Sequence, residues 1–308
     1  MAFTAADVKK LREMTNVGMM DCKKALTASD GDMDKAVEWL REKGLAAAAK
    51  KSGRIAAEGV VNAVVENGIG AIVEINAETD FASKSDKFME LVRDVSSVIV
   101  KDAPADLDAL MACKYPGSDL TVEATLPEKI LVIGENIKIR RFERYDSGVT
   151  VSYVHMGGRI GVLVNMEVEG IDPEAVTTLG KDICMQVASM NPAFCDKSEV
   201  SQATLDKEKE IQMAQMANDP NMASKPESVR EKIVMGKMSK FYEENCLMQQ
   251  DFVKDSSLTV EKHVAAVAKE LGGKIKVVKF VRYEKGEGIE KKVDDFAAEV
   301  AAAAGLTK

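Results

Sequence analysis

A metal cluster or proton relay built on imidazole would have to use one of the two histidines of this chain, and no His-Glu-x-x-His spacing sets a carboxylate beside either. The five cysteines, Cys22, Cys113, Cys184, Cys195 and Cys246, form no Cys-x-x-Cys, and an odd number cannot all pair. That pattern fits a reducing compartment. There is no Gly-x-x-x-x-Gly-Lys-[Ser/Thr] phosphate cradle and no Gly-x-Ser-x-Gly nucleophile elbow, and Gly286-x-Gly288 lacks both a third glycine and a strand-to-helix context. Asp80, as a lone carboxylate, makes a poor metal ligand. The chain is expected to act by binding, not as an enzyme, with no catalytic residue, metal or cofactor.

Three short stretches stand out as places where a binding surface could form. Phe81 sits among Thr79, Asp80, Ser83 and Ser85, where loop composition favours small polar groups. It is either a hydrophobic staple ahead of a helix capped by Ser83 or Ser85, or an aromatic ring presented to a partner. His155 precedes Gly157 and Gly158 at the tip of a strand pair, and either hydrogen-bonds locally or meets a partner. Ile133-Gly-Glu-Asn136 reads as a helix C-cap.

The elements that carry these stretches follow from periodicity. Thr4 and Asp7 resemble a capping box, followed by Val8, Leu11 and Met14 on one face. Cys22, Ala25 and Leu26 mark a second helix after Gly18. Met33, Ala36, Val37 and Leu40 mark a third, which Gly44 is placed to stop, with 46–54 as linker. From Gly59 the period changes to β-branched runs at 60–65 and 69–75, joined by the hairpin signal Asn67-Gly68. Phe88, Leu91, Val92, Val95 and Ile99 then space out as an amphipathic helix. A less regular helical region follows Pro104, and 137–145 reads as a strand.

The second half repeats this plan. Ile69-Gly-Ala-Ile-Val73 is echoed by Ile160-Gly-Val-Leu-Val164, and Ile137-Lys-Ile-Arg-Arg-Phe-Glu-Arg-Tyr145 by Ile275-Lys-Val-Val-Lys-Phe-Val-Arg-Tyr283. The first pair is offset by 91 residues (160 minus 69) and the second by 138 (275 minus 137), so 47 extra residues belong to the second copy. They are expected between Asp196 and Gln249 as two antiparallel helices. Leu205 and Ile211 would line one, Val229, Ile233, Met238 and Phe241 the other, with Asn218-Asp-Pro-Asn221 as the turn. An Ala-rich helix carrying Phe296 and Val300 is expected in 286–308. The predicted class is α+β, in four parts: a helical docking module at 1–54, a core subdomain at 55–145, a second at 146–283 with the hairpin inserted at about 196–249, and a C-terminal helical module at 284–308.

Composition is that of a folded protein in water, with 46% hydrophobic and 30% charged residues; aromatics are sparse at 5%, and 17 methionines supply adaptable apolar contact. A net charge of -8 disfavours a sequence-independent grip on phosphates. No apolar run reaches membrane-spanning length, and the N-terminus has neither a basic flank nor a signal-peptide core, so a cytoplasmic, membrane-free protein is expected.

Leu11-Arg-Glu-Met-Thr-Asn-Val-Gly-Met-Met-Asp-Cys-Lys23 and Glu74-Ile-Asn-Ala-Glu-Thr-Asp-Phe-Ala-Ser-Lys84 resemble the two signatures of the translation elongation factor Ts family. The likeness continues through Ile133-Gly-Glu-Asn-Ile137 and His155-Met-Gly-Gly-Arg-Ile-Gly-Val-Leu163 to Gly286-Glu-Gly-Ile-Glu-Lys291. Met14 and Asn16 stand where the family usually has a basic residue and glycine, and Ala82 where it has valine. The resemblance implies a ubiquitin-associated-like first module, a coiled-coil insertion, and guanine-nucleotide exchange on elongation factor Tu. Such a protein binds the GDP-bound form, disturbs its magnesium and phosphate site, and promotes GDP release. It also implies partner contacts from Thr79, Asp80, Phe81, Ile133, Gly134, Glu135, His155, Gly157, Gly158 and Arg159, and docking through Arg12, Met19, Met20 and Lys23. No direct nucleic-acid contact is expected. The competing reading is an RNA-associated translation factor without exchange activity, using strands 137–145 and 275–283 as a platform. Aromatic rings beside Arg140, Arg141 or Lys279 would be its sign.

Overall fold

The computed structural model describes residues 3–15, 17–219 and 225–290. It is an α+β fold with two three-stranded sheets and one two-stranded sheet among the described residues. The chain divides into two compact units. Among the described residues the first comprises those of 3–62, 73–142 and 284–290, the second those of 63–72 and 143–283.

The first unit opens with α1 (Ala5–Thr15), α2 (Met19–Ala28) and α3 (Met33–Lys51). The expected capping box is present: Asp7 accepts from the Thr4 N–H at 2.7 Å, and Thr4 Oγ1 accepts from the Asp7 N–H at 3.4 Å. Val8, Leu11, Cys22, Ala25, Leu26, Ala36 and Leu40 form one buried cluster. Gly44 does not stop α3, as its type suggested. The helix runs through Ala46, Ala47, Ala48 and Ala49, strong helix formers. Gly44 is buried instead because a Cβ there would sit 3.2 Å from the Pro127 carbonyl oxygen. The expected linker therefore shrinks to the few residues after Lys51.

Strands β1 (Glu58–Glu66) and β2 (Ile69–Ala77) follow, joined at Asn67-Gly68. The chain then forms α4 (Asp80–Ser83), α5 (Asp86–Asp102), α6 (Leu107–Ala112), α7 (Val122–Ile133) and β3 (Lys138–Tyr145). Helix α5 buries Phe88, Leu91, Val92, Val95 and Ile99, the face its spacing predicts. The irregular region after Pro104 resolves into α6 and α7, separated by a turn pinned by a Lys114–Thr121 bridge. The first sheet has the order β1-β2-β3.

In the second unit β4 (Val149–His155) pairs antiparallel with β5 (Ile160–Glu169), Val151 opposite Val164 and His155 opposite Ile160. Strand β8 (Lys274–Glu284) completes the order β4-β5-β8, the same plan as the first sheet. Helix α8 (Thr177–Met190) buries Leu179, Ile183 and Val187 in a core with Val151, Val162, Val164 and Met166. The expected insertion appears as α9 (Gln202–Asn218) and α10 (Glu227–Asn245). Its predicted apolar stripe is met in part: Leu205, Ile233, Met238 and Phe241 are half-buried and Met216 and Val234 are buried, whereas Ile211 and Val229 are 43% and 39% exposed. Its base is woven into the unit, since the Phe194 N–H donates to the Asn245 carbonyl at 3.0 Å and the Leu247 N–H to the Phe194 carbonyl at 2.9 Å. The short strands β6 (Asp251–Phe252) and β7 (Asp255–Thr259) and helix α11 (Val260–Glu270) fill the interval before β8. The second half of the Asn218-Asp-Pro-Asn221 turn, Asn16 and the helix expected in 286–308 beyond residue 290 lie outside the described residues. Among the described residues no helix is long and apolar enough to cross a membrane.

Candidate functional site

Strand β2 is almost wholly buried, and the chain leaves it through Glu78 and Thr79 into the single turn α4. Thr79 caps that turn, its hydroxyl accepting from the Ala82 N–H at 3.2 Å. Ser85 caps α5 through the Phe88 N–H at 3.3 Å. Ala82 and Ser83 are buried, so the turn rests on its small residues. Phe81 points the other way and is 86% exposed, more than any other large hydrophobic residue of the described chain. A staple must pack against the first turn of its helix; this ring does not, so that reading fails.

The loop is braced from the far end of α7. Gly134 ends α7 in the left-handed conformation, φ 91°, which turns the chain straight into Glu135. The Glu135 carboxylate accepts the Thr79 N–H at 2.9 Å and the Thr79 hydroxyl at 2.6 Å. One residue on, the Asn136 N–H donates to Glu78 at 2.7 Å, and Asn136 Nδ2 donates to the Arg54 carbonyl at 2.8 Å. The C-cap expected at 133–136 thus holds, and it lies beside the Phe81 loop. Asp80 pairs with Lys84 at 2.7 Å, and that hydrogen bond and charge hold its carboxyl below the ordinary range.

Deeper in the same unit lies a charge the sequence did not flag. Glu74 is fully buried on β2 and accepts from Arg140 at 3.0 Å, Arg141 at 2.7 Å, Asn76 at 3.1 Å and the Gly286 N–H at 2.8 Å. Burial opposes its charge, yet the donors from Gly286, Asn76, Arg141 and Arg140 together outweigh burial and hold the carboxyl below its ordinary value. Gly286 comes so close to the Ala57 carbonyl that no Cβ fits, which lets its N–H reach Glu74. Arg140 and Arg141 therefore both bond to the buried Glu74. Lys279 does lie 4.1 Å from the Tyr145 ring centroid, but that tyrosine is only 5% exposed and offers no face to a base. A carboxylate inside a β-branched run was the available signal, since a buried charge requires partners.

In the second unit His155, Gly157, Gly158 and Arg159 fall together at the tip of the β4–β5 hairpin. Met156, Gly157 and Gly158 take φ values of 49°, 64° and 93°, an unusual left-handed run. The Gly158 and Arg159 N–H groups close back on the His155 carbonyl at 3.3 and 3.1 Å. Tyr153, two residues back on the same strand face, holds His155 Nδ1 at 2.8 Å. The period of two could have found it. Met156 is exposed at the tip.

Of the predicted docking residues, Arg12 lies on α1 and Met19, Met20 and Lys23 on α2, all exposed; Met14, expected on the apolar face of α1, is exposed as well and does not join Val8 and Leu11 in the buried cluster. Among the described residues no cluster of three or more His, Cys, Asp or Glu side chains is placed to hold a metal.

Relatives similar in sequence extend along nearly the whole chain. The family model described as elongation factor TS matches residues 78–287. Elongation factor Ts of Clostridium kluyveri is 51% identical over 302 residues, covering 96% of this chain and 97% of its own. That of Clostridium perfringens strain SM101 is 48% identical, with 97% and 98% covered, and that of Trichlorobacter lovleyi 48% identical, with 99% and 100% covered. With a family model over residues 78–287 and relatives of about half-identical sequence over nearly full length, the chain belongs to the elongation factor Ts family.

Proposed function

We propose that this protein is a guanine-nucleotide exchange factor for elongation factor Tu in translation elongation, acting in the cytoplasm by binding and without catalytic residues of its own. It engages the GDP-bound factor, pushes into the region of its magnesium and phosphate contacts, and promotes GDP release so that GTP can bind. The observation that carries this reading is Phe81: an aromatic ring 86% exposed on a turn whose backbone is fixed from both sides. Left exposed, the ring adds no burial energy to this fold, whereas a partner that covers it gains the transfer free energy of its apolar surface.

Exchange of this kind is thermodynamic linkage. A protein that binds the empty factor better than the GDP-bound one weakens GDP binding by the same ratio, and a coupling of about 3 kcal/mol corresponds to roughly 150-fold. In this reading Thr79 and Asp80 shape the Phe81 turn, with Ile133, Gly134 and Glu135 beside it. His155, Gly157, Gly158 and Arg159 form a second contact. Residues 1–54, of ubiquitin-associated-like form, dock through Arg12, Met19, Met20 and Lys23, while the hairpin in 196–249 is a coiled coil and 284–308 ends in a helical module. The test is release of labelled GDP from purified elongation factor Tu. The parent protein at saturation is expected to accelerate release by on the order of 100-fold; an unchanged rate would falsify the assignment.

A further inference from the structure

The two segments framing Phe81 hold each other reciprocally. Glu78 accepts the N–H of Asn136, the residue after Glu135, at 2.7 Å, and Glu135 accepts the N–H of Thr79, the residue after Glu78, at 2.9 Å. Each carboxylate thus secures the backbone next to the other. A four-residue helix cannot set its own direction, because one turn fixes several dihedrals for a single hydrogen bond. Its direction must be imposed at Thr79, and Thr79 is where the clasp closes: the N–H and hydroxyl bound to Glu135 belong to the residue that caps the turn at Ala82.

We infer that Glu78 and Glu135 are positioning residues for Phe81, a two-carboxylate clasp that sets the angle at which the exposed ring leaves the fold. The inference rests on the exchange reading above and assigns Glu135 to the loop's own scaffold instead of the partner surface. It also gives Glu78 a role that its place in the motif does not reveal. Arg54, which reaches Glu78 at 3.3 Å, and Asn136 Nδ2, which donates to the Arg54 carbonyl, anchor the clasp to the chain leaving α3. The carboxylates are half-buried and hydrogen-bonded to backbone groups, an arrangement stronger than neutral pairing.

The experiment uses the full chain with Glu78→Ala, Glu135→Ala and the double variant, each with Phe81 intact and with Phe81→Ala. Two readouts are taken: amide hydrogen exchange on the free protein, and maximal GDP release from elongation factor Tu. Each single variant is expected to speed exchange of both the Thr79 and Asn136 amides by about tenfold, including the amide it does not itself bond. Each is expected to lower maximal release by roughly tenfold, the double little further, and none beyond Phe81→Ala in that background. Non-additivity of this kind marks groups that act as a unit. Glu78→Gln, whose amide oxygen can still accept from Asn136, should recover most of the loss. Two results would overturn the inference: Thr79 protection unchanged in Glu78→Ala, or a further loss from Glu135→Ala when Phe81 is already alanine, which would place Glu135 against the partner. A parent that fails to release GDP would instead overturn the exchange reading, and amide protection would still decide the clasp.

Discussion

The two tips proposed to meet the partner are built on opposite physical plans. The Phe81 turn stands on charge, with Glu78 and Glu135 around it, and the strand that leads into it carries the buried Glu74 with Arg140, Arg141 and the Gly286 N–H. The His155 tip stands on apolar packing, with Val151, Val162 and Val164 of its own hairpin in the core, and ends in three successive left-handed residues. A charge-braced loop can be fixed in direction while presenting an apolar ring, because its ties are directional hydrogen bonds. A left-handed turn on an apolar hairpin is fixed by backbone conformation, which sets the side chains it carries at the tip. The first suits a wedge and the second suits a clamp.

The sharpest way to break this contrast is to remove the charge. Glu74→Ala leaves Arg140 and Arg141 without their buried partner and is expected to lower stability by about 3–5 kcal/mol, measured by denaturant unfolding. Acid should do the same more gently. The folded-state pKa of Glu74 lies below its ordinary value, so its contribution is present above the unfolded value of about 4.3 and is lost as pH falls through the folded one. Hydrogen exchange between pH 5 and pH 3 is expected to loosen β2 and β3 ahead of β4 and β5. Simultaneous loosening of both sheets would show that charge does not distinguish the regions.

Next in size is the wedge itself. Phe81→Ala removes a ring with little packing of its own, so melting should shift by no more than a surface change does, within about 0.5 kcal/mol. Maximal GDP release is expected to fall on the order of 100-fold, while affinity for the empty factor is kept. His155→Ala should act mainly on the half-saturation concentration. If the two variants exchange roles, the wedge and clamp assignments are reversed.

Much of the fold was legible because local rules agreed with tertiary packing. Asn67-Gly68 fixed the first hairpin, the spacing of Phe88 to Ile99 fixed α5, and the repeated strands foretold a second copy of the first plan. Gly44 misled because a helix-ending residue type was used for close packing against Pro127. In α9 and α10 the helices were foreseen but only part of the buried face, since Lys, Glu, Gln and Met leave a stripe that can rotate by one position at little cost. At the site, Phe81 was legible as an oddity, and its exposure resolves the choice between staple and presented ring. The clasp was not legible. Glu78 and Glu135 are 57 residues apart (135 minus 78), and only the approach of 78–79 to 135–136 turns two ordinary surface glutamates into one device.

A smaller effect separates the glycines of the two regions. Gly134 and Gly157 both have positive φ, 91° and 64°, with open space where a Cβ would go, so alanine at either should cost about 1 kcal/mol of backbone strain. Gly134→Ala should in addition slow GDP release, because it displaces Glu135 from Thr79. Gly157→Ala should weaken binding without that loss. Equal losses of maximal release from both would mean that the Phe81 turn does not depend on the end of α7.

The smallest expected effect lies at Tyr153, whose hydroxyl holds His155 Nδ1 at 2.8 Å with the rings 5.7 Å apart. That hydrogen bond fixes both the ring orientation and which nitrogen is left to face a partner. Tyr153→Phe keeps the packing and removes only the tie, so folding should be nearly unaffected. The imidazole must then be ordered on binding, which costs about 0.5–1 kcal/mol, or roughly two- to fivefold in half-saturation concentration. Maximal GDP release should stay at the parent value, because ordering the clamp changes how tightly the partner is held and not how far Phe81 enters it. The measurement is a titration of GDP release against factor concentration for parent, Tyr153→Phe and His155→Ala. A fall in the maximal rate with Tyr153→Phe would mean that the second tip also takes part in displacing the nucleotide, and the division between a charge-braced wedge and a packing-braced clamp would have to be abandoned.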